Sequence, residues 1–260
     1  MSTWQTLLAL ALMVVFPFLD LQEVRRMRAN TSEAKRLHWY RKCITSLWLA
    51  LTVALAISPL SGLVFIMPDA ADMAWLHRHP LLTGAALAGG IALLLLSTLS
   101  GLSCIWNPAR RKRIAPAFAS MHYMLPVSDN ERRWWLAVSV SAGICEEVLF
   151  RGFLFNYIYE SNIAGIHFGI LSSLLLTSLA FGSCHLYQGW RGMLSTSVLG
   201  LAFGIVAIAT GNLLLPVLLH ILADTRTLWL YRPGRDDPEL ALKLIGVPPR
   251  AGHQQSMLTE

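Results

Sequence analysis

A chain of 260 residues that is 55% hydrophobic and only 14% charged is too apolar for a soluble domain. It reads as an all-α, polytopic transmembrane helix bundle of about seven to eight spans. The net charge of +6 comes from basic residues clustered between apolar runs without interleaved aromatics, which excludes nucleic acid as a partner and makes the lipid bilayer one.

Thr3 to Leu19 is a first apolar run ending at Asp20, read as a retained span because no basic n-region precedes it and no A-x-A-like site follows. Leu21 to Lys42 carries Arg25, Arg26, Arg28, Lys35, Arg36, Arg41 and Lys42 and reads as a cytoplasmic loop. Ile44 to Met67 is a second span. Pro68 to Pro80, with Asp69 and Asp72 against one arginine, is an outside loop. Leu81 to Trp106 is a third span, and Asn107 to Arg133 returns to the cytoplasm on Arg110, Arg111, Lys112, Arg113, Arg132 and Arg133. Within it, Ile114 to Leu125 is too short to cross and is expected in the interface or dipping into it.

Trp134 to Tyr159 is the fourth span, entered through Trp134 and Trp135 at the interfacial belt, and Gly165 to His185 is the fifth. Gly192 to Thr210, with Gly200 and Gly204 spaced for close packing, is the sixth, and Leu213 to Tyr231 the seventh. From Arg232 onward the chain reads as a polar cytoplasmic tail. The chain divides into 1–133, three spans with basic loops, 134–231, a four-helix core, and 232–260, the tail. The protein is expected to be multi-pass in a bacterial cytoplasmic membrane. Cys43, Cys104, Cys145 and Cys184 form no CxxC pair and read as small buried residues.

The chemistry concentrates in the fourth span, where Ser141 to Leu154 reads SAGICEEVLFRGFL. A charge at bilayer depth is costly unless paired or facing a wet cavity, so intramembrane ionisable residues are functional candidates. Glu147 and Arg151 are four apart, acid first, on one helix face, whereas Glu146 is rotated roughly 100° away and has no local partner. One carboxylate is therefore neutralised and the other free. Phe181-Gly-Ser-Cys-His185 ends the fifth span, and His220 and Asp224 lie one turn apart on the seventh, just after Pro216, which would open that helix. By helical rise Glu146 and His220 reach similar depth, roughly 18 and 16 Å from their interfaces. His185 is left nearer the surface.

Two chemistries suit this set. In one, Glu146 deprotonates water, His185 positions or protonates, and His220 with Asp224 stabilises the oxyanion, with no cofactor. In the other, zinc is held by His185, His220 and Glu146. The metal-free version is preferred because no compact metal motif is present.

The EExxxR, FxxxH and HxxxD motifs, in order and each in its own span, resemble those of the CAAX prenyl endopeptidase and bacteriocin-processing (CPBP, or Abi) membrane proteases. The resemblance covers roughly Trp134 to Tyr231. It implies an intramembrane peptidase acting on a membrane-bound or lipidated peptide or protein. Glu146 matches the water-activating glutamate, Glu147 its partner and Arg151 the residue completing that motif; Phe181 with His185, and His220 with Asp224, match the other two. The last position is often asparagine in the family. A non-catalytic immunity or scaffold protein with the same fold is the alternative, and a proton-relaying carrier is disfavoured by the lack of inverted repeats.

Overall fold

The computed structural model describes residues 2–29, 31–64, 70–99, 101–163 and 165–245; Asp69 and residues 246–260 of the tail lie outside the described residues. The architecture is all-α, and its one sheet among the described residues is a minimal hairpin, Asn162–Ile163 against Ile166–His167. The principal helices are α1 (3–29), α2 (Glu33–Ile57), α3 (Pro80–Leu99), α4 (129–159), α5 (Ile170–Ser183), α6 (Trp190–Thr210) and α7 (Leu214–Thr225).

The protein is an integral membrane protein. Thr3–Arg28, α2 and α6 are long and apolar enough to cross a bilayer, while Pro80–Leu96 and α5 are apolar but shorter. Large apolar side chains such as Leu49, Leu81, Leu96 and Leu214 stand exposed on the outer surface, as a lipid solvent permits. The seven or eight crossings expected from apolar runs are more than these three helices account for. Helix α4 is long but charged, and α5 and α7 have 14 and 12 residues.

Three expectations change in detail. The basic stretch 21–42 is helical almost throughout, because its residues are good helix formers and Val24 and Met27, three apart, bury together. Only a short break separates α1 from α2, where the Ser32 side chain accepts from Lys35 N. The outside loop 68–80 contains a helix, Ala70–Arg78. The tail is not loose either: Pro233–Asp236 and Pro238–Ile245 are helical turns docked on the bundle.

Helix α4 organises the packing. It lies between α2 and α7, and α6 lies between α5 and α3. Leu149, Phe150, Phe153 and Leu154 of α4 pack with Leu8 and Leu12 of α1, Ala50, Leu51 and Ala54 of α2, and Ala180 and Phe181 of α5. One apolar cluster therefore joins the first two helices to the motif-bearing ones.

The end of the bundle bearing the basic residues is closed by a folded cap. Ile114 to Leu125 is not one regular helix. It forms a tight helical turn, Ala115–Met121, followed by a bend that buries Tyr123, Met124 and Leu125 against Tyr40, Trp135 and Tyr231. Trp135, expected at the interface, is thus buried in this cluster. Two ion pairs clamp the cap. Arg36 and Glu131, both fully buried, meet at 2.5 Å, and Arg36 Nη1 also donates to Leu244 O. Arg111 donates from Nε and Nη2 to both oxygens of Asp236, at 2.8 and 2.9 Å. Such pairs orient the docked segments, and breaking either side strands a buried charge.

Candidate active site

The site is built where α4 departs from α geometry. Glu147–Leu154 winds as a π-helix, and Phe155 N reaches back five residues to Phe150 O. A π turn carries an extra residue and is found mostly at functional positions. The two glutamates sit at its start: Glu146 is the last residue in α geometry and Glu147 the first beyond it.

Helix α7 brings the histidine. Pro216 lies in its first turn, where the missing N–H would have had no intrahelical acceptor, so it does not open the helix at His220 as expected. Gly143 lets α7 approach α4: a Cβ there would lie 3.1 Å from Ile221 N and 3.3 Å from Val217 O. One turn further along α4, His220 Nδ1 sits 2.7 Å from Glu147 Oε1. The same carboxylate oxygen accepts from Arg151 Nη1 at 3.0 Å. Glu147 and Arg151 are 0% and 3% exposed, so this side of the site is sealed.

The other ring nitrogen faces two further acids. His220 Nε2 is 3.8 Å from Glu146 Oε2 and 3.7 Å from Asp224 Oδ2. The Glu146 side chain is 18% exposed and that of Asp224 38%, so the site opens on this side. Glu146 Oε2 is buried and has no hydrogen-bond partner. Among the described residues, Arg151 and His220 both engage Glu147 Oε1, while Glu147 Oε2 is also without a hydrogen bond and Glu146 has only the His220 contact at 3.8 Å.

His185 joins indirectly. Helix α5 runs for 14 residues, roughly 21 Å, shorter than the ~30 Å hydrocarbon core of a bilayer. His185 follows the helix end, its Nδ1 3.0 Å from Phe181 O. The Phe181 ring stands between the histidines, 5.0 Å from the centroid of His185 and edge-on at 5.9 Å from that of His220. Glu146, Glu147, Arg151, His220 and Asp224 thus form one constellation, and Phe181 links His185 to it.

The motifs left out three contributors. Phe203 of α6 stacks on His220 with centroids 5.0 Å apart and planes at 13°. With Phe181 it also places an aromatic face against the Arg151 guanidinium, at 5.4 and 4.1 Å. Gly200 makes room for this group, since a Cβ there would lie 2.9 Å from Arg151 Nη2. Trp135 Nε1 lies 3.4 Å from Asp224 O, tying α4 to the end of α7. No local pattern singles out Phe203 or Trp135; the glycines were legible only as small packing residues. Cys184, half-buried rather than buried, points its sulfur at Leu12 O.

Among the described residues no group of three or more His, Cys, Asp or Glu is placed to hold a metal ion.

Residues 129–226 match the family described as Type II CAAX prenyl endopeptidase Rce1-like. Over this segment the chain is similar to the CAAX protease family. The match starts at the first residue of α4 and ends just past α7, so it takes in every residue of the constellation, although it covers less than half of the chain. An uncharacterized 24.3 kDa protein of Escherichia coli is 35% identical over 91 residues, which are 35% of this chain and 40% of that protein. The aligned part is thus under two thirds of that relative. No solved structure matches. The matched segment is set in a bundle whose first three helices lie outside it.

Proposed function

We propose that this protein is an intramembrane endopeptidase that cleaves a peptide bond of a membrane-associated or lipid-modified protein, with Glu146 activating the attacking water. The observation that carries this reading is Glu146 Oε2, buried without a hydrogen bond 3.8 Å from a histidine whose orientation Glu147 fixes from behind. A scaffold has no reason to leave a buried carboxylate oxygen unsatisfied, since that costs stability.

In the proposed cycle, water gives a proton to Glu146 as its oxygen attacks the scissile carbonyl carbon. The resulting oxyanion is met by a histidine N–H, from His220 Nε2 or from His185. Glu146 then returns the proton to the leaving amine as the C–N bond breaks. Glu147 and Arg151 hold the His220 ring in place, and Asp224 flanks its open nitrogen. No metal enters the scheme. The family description supports prenylated or otherwise membrane-held proteins as the substrate class. In this reading the membrane is the bacterial cytoplasmic one.

Glu146→Gln tests this in the purified full chain. The shape is kept and the base removed, so cleavage of a lipidated reporter peptide should fall by at least ~10²–10⁴-fold while the melting temperature holds. Wild-type turnover by this variant would sink the mechanism. A zinc chelator should leave wild-type turnover unchanged, whereas loss on chelation and return with stoichiometric zinc would overturn the metal-free scheme.

A further inference from the structure

Between the start of α4 and the turn after α7 lies an open cleft of about 490 Å³, lined among others by Ser128, Asp129, Arg132, Arg232 and Arg235. Its lining includes Val127, which packs against the cap cluster of Trp135 and Tyr231, and none of the candidate catalytic acids. Three guanidinium groups line it against one carboxylate, an excess of positive charge that the proposed peptidase does not use.

Backbone carbonyls rather than ion pairs hold Arg132 and Arg232 there. Arg132 donates from Nη2 to Leu228 O at 2.6 Å and from Nη1 to Tyr231 O at 3.3 Å. Arg232 Nε donates to the same Leu228 oxygen at 3.0 Å, so two cations converge on one neutral carbonyl. Among the described residues neither they nor Arg235 has a carboxylate within 4.0 Å, whereas Arg36 and Arg111 in the same cap are each ion-paired. Burial first, and then the neighbouring Arg232, hold Arg132 below the usual arginine range, with Asp129 opposing them. The first N–H groups of α4 do not supply the site, since Ser128 and Glu131 already cap that end. Any anion must be met by the arginines themselves. One turn along α4, Trp134 lies under Arg41 at 4.9 Å, a pairing suited to the headgroup level of a bilayer.

We infer that this cleft binds a phosphate-bearing anion, held by Arg132, Arg232 and Arg235 at the basic end of the bundle. Clefts lined by one sign of charge concentrate the opposite ion, and basic pockets at helix ends take lipid headgroups. The same chemistry would serve the phosphodiester of an anionic phospholipid or free phosphate.

The full-length chain, purified in detergent, separates the two sources. Retention of phosphatidylglycerol over phosphatidylcholine is read by native mass spectrometry, and inorganic phosphate is titrated by calorimetry. The double variant Arg232→Gln/Arg235→Gln should weaken binding roughly 25-fold, about fivefold per arginine. Arg235→Gln alone, at an exposed position, keeps the test intact if the double variant folds poorly. Preference for phosphatidylglycerol, lost in the variants, supports a lipid headgroup site. Phosphate binding without lipid preference, lost likewise, supports a free phosphate site. Equal retention of both lipids with no phosphate binding, or binding that Arg235→Gln and the double variant leave unchanged, overturns the proposal.

Discussion

His220 Nδ1 lies 2.7 Å from Glu147 Oε1, and this contact aims the opposite nitrogen of the ring at Glu146 and Asp224. The three acids around one imidazole are therefore not equivalent. Glu147 is sealed and orienting; Glu146 and Asp224 face the open side.

This asymmetry is testable through Glu147→Gln. The amide keeps the shape but no longer carries the charge that fixes ring and guanidinium together. Turnover number should fall by ~10²–10⁴-fold with KM little changed, because the scheme loses an oriented proton carrier rather than a substrate contact. Unaltered turnover in a steady-state peptide assay would remove Glu147 from the machinery.

Arg151→Met asks whether the buried pair is formed. With the cation gone, Glu147 keeps only His220, and stability should drop by about 3–5 kcal/mol. Adding Glu147→Leu should recover much of that loss, because the stranded charge is removed too. Melting in detergent decides it; a single variant as stable as wild type would show that the ion pair carries nothing.

Gly143→Ala offers a sign test. At an ordinary helix position the change is favourable by up to about 1 kcal/mol. Here the added methyl meets Ile221 of α7, so overpacking should cost about 1–3 kcal/mol and draw His220 away from Glu147. A more stable and equally active variant would show that the helices are not held at this distance.

Orientation is open to cysteine labelling at exposed positions. Arg26 and Lys112 should label from the cytoplasm and Glu160 from outside; all three side chains are accessible, unlike Arg111, which is buried against Asp236. External labelling at Lys112 would reverse the basic end of the bundle and move the site to the other leaflet.

What the sequence made legible was chemical. Glu146, Glu147, Arg151, His220 and Asp224 stand out because charge is expensive in an apolar setting, and their spacing ties acid to base along single helices. What it concealed depends on contacts between helices. Apolar composition marks a span but not the residue at which α5 begins or ends, so it places His185 only coarsely. Pro216 looked like a helix breaker because its place in the first turn depends on where α7 starts. Phe203 escaped notice because a phenylalanine in an apolar helix carries no signal until it stacks on a histidine. The cap was hidden for a similar reason: the buried pairs Arg36–Glu131 and Arg111–Asp236 join residues distant along the chain.

The π turn from Glu147 to Leu154 has a consequence for how this helix tolerates change. An extra residue absorbed into one turn sets the two halves of α4 out of phase, by roughly 100° relative to an uninterrupted α-helix. The first half keeps Ser139, Ser141 and Gly143 inward while the second presents Phe150, Phe153 and Leu154 to α1, α2 and α5. Rewinding the turn as a regular α-helix with no residue removed would rotate one half against the other. Glu146 and Arg151 would then face different neighbours with every side chain still present. Along this helix, phase is a determinant in its own right, as specific as the residues it carries.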